Sequence, residues 1–264
     1  MKGTFRGMGL ALLALMVASC SNSGSAPTAP SPSITGQTTA TGTLTSLTDP
    51  DARIFSVTAA DTPSGRPPCE FNPATGQFEC PPQARNGLTI TMRYTLYDAS
   101  GNVQSARDRN TASMRADTTA EGTITRENGA SVTINRSGFM TTSGLGPNAT
   151  THTLNGREQG TVVATMTAND GAKVTTTTTV DDVTTNLVVP VRSGDRSTAY
   201  PLSGTRVHSA VTTGPLGRGP LTVRRQETFD GTNIVRVELT VNGATQQCTF
   251  DLATRTSTCQ RPRD

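Results

Sequence analysis

Two stretches, "LTITMRYTLYDASGN" from Leu88 and "NIVRVELTVNG" from Asn233, alternate residue by residue between apolar and polar. In the first, Leu88, Ile90, Met92, Tyr94 and Leu96 share one phase, and Thr89, Thr91, Arg93 and Thr95 share the other. In the second, Val235, Val237, Leu239 and Val241 stand against Arg236, Glu238 and Thr240. A period of two sends successive side chains to opposite faces, so each stretch predicts a strand buried on one face. Threonine outnumbers every other residue from about Thr38 onward, and no helical period competes. β-Branched Thr and Val fit a pleated surface better than a helix.

Turn dipeptides punctuate these runs: Asn128-Gly129, Asn155-Gly156, Asp170-Gly171, Asp230-Gly231 and Asn242-Gly243. Two-residue hairpin turns require positive φ, which Asn, Asp and Gly supply. Strands joined this way run antiparallel to their sequence neighbours. Residues 124–259 therefore read as a long meander, preceded by a more irregular portion. "SARDRNTASMRADTTAEG" (Ser105 to Gly122) shows no clear period and is expected as a loop or frayed edge. A sheet with one apolar face must cover it, and no amphipathic helix follows the N-terminus. The expected fold is all-β: an antiparallel meander closing into an up-and-down barrel or curled sheet, with a β-sandwich as the alternative. Residues 38–264 form a single β-rich domain in this reading. Hydrophobic residues make up 33% of the chain and aromatic ones 4%, with no Trp, so small aliphatics must build the core. A membrane-spanning barrel would need aromatic girdles and an apolar outer face, where this chain offers Thr and Arg.

The N-terminus carries a different signal. "MKGTFRGMGLALLALMVASC" has a basic start (Lys2, Arg6), an apolar run from Met8 to Val17 too short to span a bilayer, and small residues before Cys20. That order is a signal peptide, residues 1–19. Its end, "VASC", resembles the lipobox of bacterial lipoproteins: an aliphatic residue, two small residues, then cysteine. The resemblance covers only the first twenty residues. It implies acylation of Cys20, cleavage before it, and membrane attachment through the acyl chains on the extracytoplasmic side, in the periplasm or at the cell surface. Residues 20–37, including "SNSGSAPTAPSPSITGQ", are uncharged and nearly free of bulky apolar groups, as a flexible tether would be.

Export places the remaining cysteines where disulfides persist. Cys69, Cys80, Cys248 and Cys259 allow three pairings, and spacing alone does not choose. "CEFNPATGQFEC" and "CTFDLATRTSTC" share the pattern C-x-F-[ND]-x-A-T, then four residues, then the second cysteine. In the first, Asn-Pro and Gly suit a tight turn that folds Phe71 against Phe78 and sets the cysteines opposite one another. The second folds likewise, with Asp251 in place of the Asn. The expected disulfides are Cys69–Cys80 and Cys248–Cys259, each stapling a hairpin at its base. Structural zinc prefers cysteines two to four residues apart, and neither pair has that spacing.

Signals for chemistry are thin. His152 and His208, the two histidines, lack metal-ligand partners at helical or hairpin spacing. There is no G-x-S-x-G, no H-E-x-x-H and no G-x-x-x-x-G-K-[ST]. Asp181-Asp182 invites an acid/base reading, but adjacent strand residues face opposite ways, and a turn between "TTTTTV" and "VTTNLVV" is the expectation there. The formal charge is +3, or +1 without Lys2 and Arg6 (3 − 2), which makes no electrostatic case for nucleic acid. No cofactor, metal or catalytic residue is implied. Two functions remain: a non-catalytic envelope domain that binds a partner protein or serves a structural role, or a carrier holding an apolar small molecule or lipid inside a barrel.

Overall fold

The computed structural model describes residues 69–126, 129–168, 171–191, 200–214 and 219–260. The signal peptide, Cys20, the tether and the domain boundary at residue 38 lie outside them, as do Asn128 and Asp170 of the expected turns. The described residues form strands β1 (Glu70–Asn72), β2 (Gln77–Arg85), β3 (Leu88–Asp98), β4 (Val103–Gln104), β5 (Thr111–Thr125), β6 (Ser131–Ser143) and β7 (Thr151–Thr167). These are followed by β8 (Lys173–Pro190), β9 (Ser203–Thr213), β10 (Leu221–Phe229), β11 (Ile234–Val241), β12 (Ala244–Asp251) and β13 (Thr256–Cys259).

All thirteen belong to one antiparallel sheet in sequence order, with the short β4 pairing beside β3. The meander and its stapled ends are as expected. Among the described residues the sheet does not close: β1 and β13 are its two edges and do not pair with each other.

Alternation decides which face is buried. Leu88, Leu96, Met114, Ala116, Ala120, Val180, Val235, Val237, Leu239 and Phe250 share the inner face, while Arg93, Arg115, Phe139, Arg157 and Arg236 stand on the outer one. Thr95 breaks the pattern, being buried on the outer face. Near the first edge the core is built from Phe78, Leu96, Met114 and Ala116, with Phe71 and Tyr94 packed against them. Phe78 stacks on Tyr94 at 4.6 Å between centroids and lies 5.2 Å from Phe71.

The long strands stay together because the inner face lacks side chains where strands crowd. Gly138, Gly156 and Gly160 all lie on that face at the β6–β7 seam. A Cβ on any of them would overlap backbone of the facing strand, at Arg157 and Glu158, Phe139, or Asn135 respectively. Glycines at such positions let a sheet bend more tightly than side chains permit.

Three expectations are corrected. The segment 105–122 is not a loop throughout: Thr111–Thr125 is a strand, buried at Met114, Ala116, Thr118 and Ala120. Apart from Met114 and Ile124 its inward residues are small or hydroxylated, so hydropathy alone does not reveal the period. Of the irregular portion expected before residue 124, β1, β2, β3 and β5 belong to the same ladder, while residues 105–110 lie outside strands. Asn155-Gly156 makes no turn; it sits within β7 at a register shift between Leu154 and Gly156. There the Asn155 Oδ1 accepts the backbone N–H of Asn186, at 2.7 Å, where β8 has its own irregularity. Asn242-Gly243 does form the expected turn, with φ of 47° and 87°.

Candidate functional site

Both faces of the sheet carry polar constellations, and the register generates each. On the inner face, one cross-strand row reads Thr118, Gly138, Glu158, Asp182, His208, Arg225 from β5 to β10. The adjacent row contributes Arg206 and Glu227 as direct neighbours, and Arg136 enters from the row on the other side. Charges thus meet on the phase that elsewhere carries Leu and Val.

Their contacts are close. Arg136 bridges two carboxylates, with Nε 2.5 Å from Glu158 Oε1 and Nη2 donating to Asp182 Oδ2 at 2.6 Å. His208 Nδ1 lies 2.5 Å from Asp182 Oδ1. Arg225 and Glu227 pair at 3.4 Å with side chains only 4% and 5% exposed. Burial raises the Glu158 carboxyl to about 7; the Arg136 charge opposes this and the neighbouring Asp182 charge adds to it. Burial also works against the Asp182 charge, but the His208 hydrogen bond with the His208 and Arg136 charges outweighs it and holds Asp182 below the usual carboxylate range. Burial pushes Glu227 up and Arg225 down. A cavity of about 70 Å³ opens beside this group, bounded by Glu158, Asp182, Thr118 and Thr184 where Gly138 and Gly156 leave room.

Asp181 and Asp182 lie in the middle of β8, so the turn expected there is not formed. Their opposite orientation is as expected. Asp182 joins the inner group, while Asp181 receives two hydrogen bonds from Arg157 on the outer face, from Nε at 2.9 Å and Nη2 at 2.8 Å. Cross-strand guanidiniums neutralise both carboxylates, which is what lets adjacent aspartates sit in a continuous strand. His152 is hydrogen-bonded to the Gly144 carbonyl at 2.8 Å and takes no part in either constellation.

On the outer face, small and large side chains fall in separate rows. Thr91, Thr119, Ser137 and Gln159 oppose one another from β3 to β7; Arg93, Asp117, Phe139 and Arg157 form the next row. Short hydroxyls beside long side chains leave a trough of about 300 Å³ running across four strands. Its walls are held in place. Arg115 donates to Asp117 and lies 4.2 Å over the Phe139 ring, and the Thr91 and Thr119 hydroxyls are 2.5 Å apart. Phe139 remains 36% exposed.

Of the residues singled out from sequence, Cys69–Cys80 and Cys248–Cys259 are joined as disulfides, with Cα separations of 4.1 and 4.0 Å. Among the described residues, no group of three His, Cys, Asp or Glu is placed to hold a metal ion. Sequence reading missed the trough and the inner charges. The inner charges left a signal: Arg136, Glu158, Asp182, His208 and Arg225 each occupy the inward phase of a strand.

Fold and surface together define the class: an open, disulfide-capped antiparallel meander with a polar trough on its solvent face. No family model, no curated protein and no solved structure matches this chain.

Proposed function

We propose that this chain is a lipid-anchored cell-envelope protein, held on the extracytoplasmic side by acyl chains on Cys20, whose β-domain binds rather than catalyses. The observation that carries the reading is the pairing of all four non-lipobox cysteines within their own hairpins. Such bonds persist in exported proteins and are rare in a reducing cytosol, in agreement with the "VASC" lipobox and the uncharged tether behind it. The outer trough gives a tethered domain a surface to offer. The carrier reading asks for an apolar interior, whereas the inner cavity is small and flanked by Glu158 and Asp182; the binder is therefore the reading we carry forward.

Cell fractionation tests the anchor. Wild-type protein sediments with membranes and resists high salt, since several acyl chains hold where one binds only marginally. Cys20→Ala releases the protein while its far-UV spectrum stays that of a sheet. A Cys20→Ala variant that still sediments at high salt overturns the proposal.

A further inference from the structure

We propose that the outer trough across β3, β5, β6 and β7 binds a saccharide bearing a carboxylate, laid across the strands. This deepens the binding role proposed above and rests on it.

The shape comes first. Four strands enclose three gaps of about 4.8 Å, so the trough is about 14 Å long and perpendicular to the strands. At about 300 Å³ it stands at the small end of ligand sites. An extended chain of small units fits that shape better than a globular ligand does.

Lining chemistry narrows the class. Thr119, Ser137 and Gln159 offer hydroxyl and amide groups that both donate and accept, as a ring of hydroxyls requires. Phe139 adds an apolar surface beside them, suited to the C–H side of a sugar ring, and Arg115 above the ring fixes its orientation. Apolar ligands would strand these polar groups without partners.

Charge narrows it further. Arg93 makes no ion pair among the described residues, and its guanidinium fork matches a carboxylate. Arg157 gives Nε and Nη2 to Asp181, leaving Nη1 hydrogens for a ligand. Asp117, beside Arg93 in the wall, disfavours phosphate and densely acidic peptides but can accept from a sugar hydroxyl. One negative charge among many hydroxyls is the pattern that fits. Because Thr91–Thr119, Arg115–Asp117 and Arg157–Asp181 are already joined, little side-chain freedom is lost on binding.

The experiment is calorimetric titration of the full-length protein in detergent micelles with short galactose oligomers carrying a single galacturonate, matched neutral galactose oligomers and a Glu-rich peptide. Binding is expected for the acidic sugar, at least about tenfold weaker for the neutral one, and absent for the peptide. Arg93→Ala brings the acidic sugar down to the affinity of the neutral one. Ser137→Leu fills the floor of the trough and abolishes binding; Gln159→Ala weakens it without adding bulk, and unchanged melting temperatures establish that both variants are folded. Equal affinity for both sugars, binding of the peptide alone, or no binding overturns the proposal. Membrane release of Cys20→Ala is measured separately, so loss of the ligand assignment and loss of the envelope reading are distinct outcomes.

Discussion

Acidification from pH 8 to pH 5.5 should stabilise this protein. The cause is the shared guanidinium on the inner face. Glu158 and Asp182 face each other across β7 and β8, and Arg136 contacts both. His208 also serves Asp182, and Arg225 lies beyond it in the same row. One proton can therefore be added to Glu158 while Arg136 stays neutralised by Asp182. In the unfolded chain Glu158 titrates near 4.5, and in the folded one near about 7. A carboxyl raised on folding contributes stability that is complete below its unfolded value and lost as pH rises through its folded value. For these two values, linkage gives a loss of about 2 kcal/mol between pH 5.5 and pH 8. Glu227, also raised by burial, acts in the same direction. Asp182 acts oppositely, but its contribution fails only as pH falls through its depressed value, below this window. Urea unfolding followed by far-UV circular dichroism at the two pH values measures the difference. Glu158→Gln, which imitates the protonated form, should flatten the dependence and raise stability at pH 8. Wild-type stability that climbs from pH 5.5 to pH 8, or a Gln variant with the wild-type slope, would refute the reasoning.

Three further substitutions test the backbone and the buried face. Arg255 has φ of 58°, at the position that Gly76 occupies with φ of 68° in the other stapled hairpin; relieving an L-residue there is worth about 1–2 kcal/mol, less about 0.5–1 for the freedom of Gly in the unfolded chain. Arg255→Gly should therefore raise the melting temperature by about 2–4 °C, and a lower one refutes the strain. Gly160→Ala drives a methyl group into β6 backbone and should cost about 1–3 kcal/mol, whereas Gly146→Ala, in open space, should be silent in the same melt. Val235→Lys puts a charge opposite Phe250 and should cost several kcal/mol; Val237→Lys, opposite Glu227, should cost less, and Glu238→Lys, half-exposed, least. Equal melting temperatures in that series would mean that β11 is not buried on one face.

What the sequence disclosed depended on how strongly each position contrasts with its neighbours. Leu88 to Leu96 and Val235 to Val241 declare their phase because large apolar residues alternate with Thr, Arg and Glu. In β5 the phase is carried by Ala116, Thr118 and Ala120 against Arg115, Asp117 and Glu121. There the charges, not the apolar residues, hold the period, so a search for hydrophobic alternation passes over it. The turns show the same dependence on context. Asn86-Gly87, with φ of 51° and 83°, makes a hairpin turn that the reading of turn dipeptides left out. Asn155-Gly156 has the right residues but sits where both neighbouring strands continue, and tertiary pairing overrides its preference. The outer trough is illegible for a different reason. Its residues occupy the solvent phase, where any polar side chain satisfies the fold, and only the register that lines up Thr91, Thr119 and Ser137 makes them a site. The inner charges were legible in principle, as polar residues on the wrong phase, but their compensation comes from strands far apart in sequence. Arg136 and Asp182 are 46 residues apart, and His208 is 26 from Asp182.

The repeated cysteine segment acquires its meaning from where the two copies stand. One is the first hairpin of the sheet and the other is the last, so the shared pattern marks its two edges. The correspondence reaches individual bonds. Asn72 Oδ1 accepts from the Ala74 backbone N–H and Asp251 Oδ1 from that of Ala253, each two residues on. The chain then returns through Gly76 and Arg255, whose N–H groups bond the Asn72 and Asp251 carbonyls at 2.8 Å. An open sheet presents unpaired N–H and C=O groups along its outer strands, a template for further strands to join. Here each outermost strand is short, three residues in β1 and four in β13, and is fixed to its neighbour by a disulfide. Where β1 stops, β2 continues through Pro81 and Pro82, which have no N–H to offer. Where β13 stops, Gln260 occupies β12 instead, its N–H bonding the Gln247 carbonyl and its own carbonyl accepting from the Gln246 side chain. A closed barrel would have no such edges to protect. Two copies of one cap, one at each end, are what an open meander needs if its edge strands are not to pair with those of another molecule.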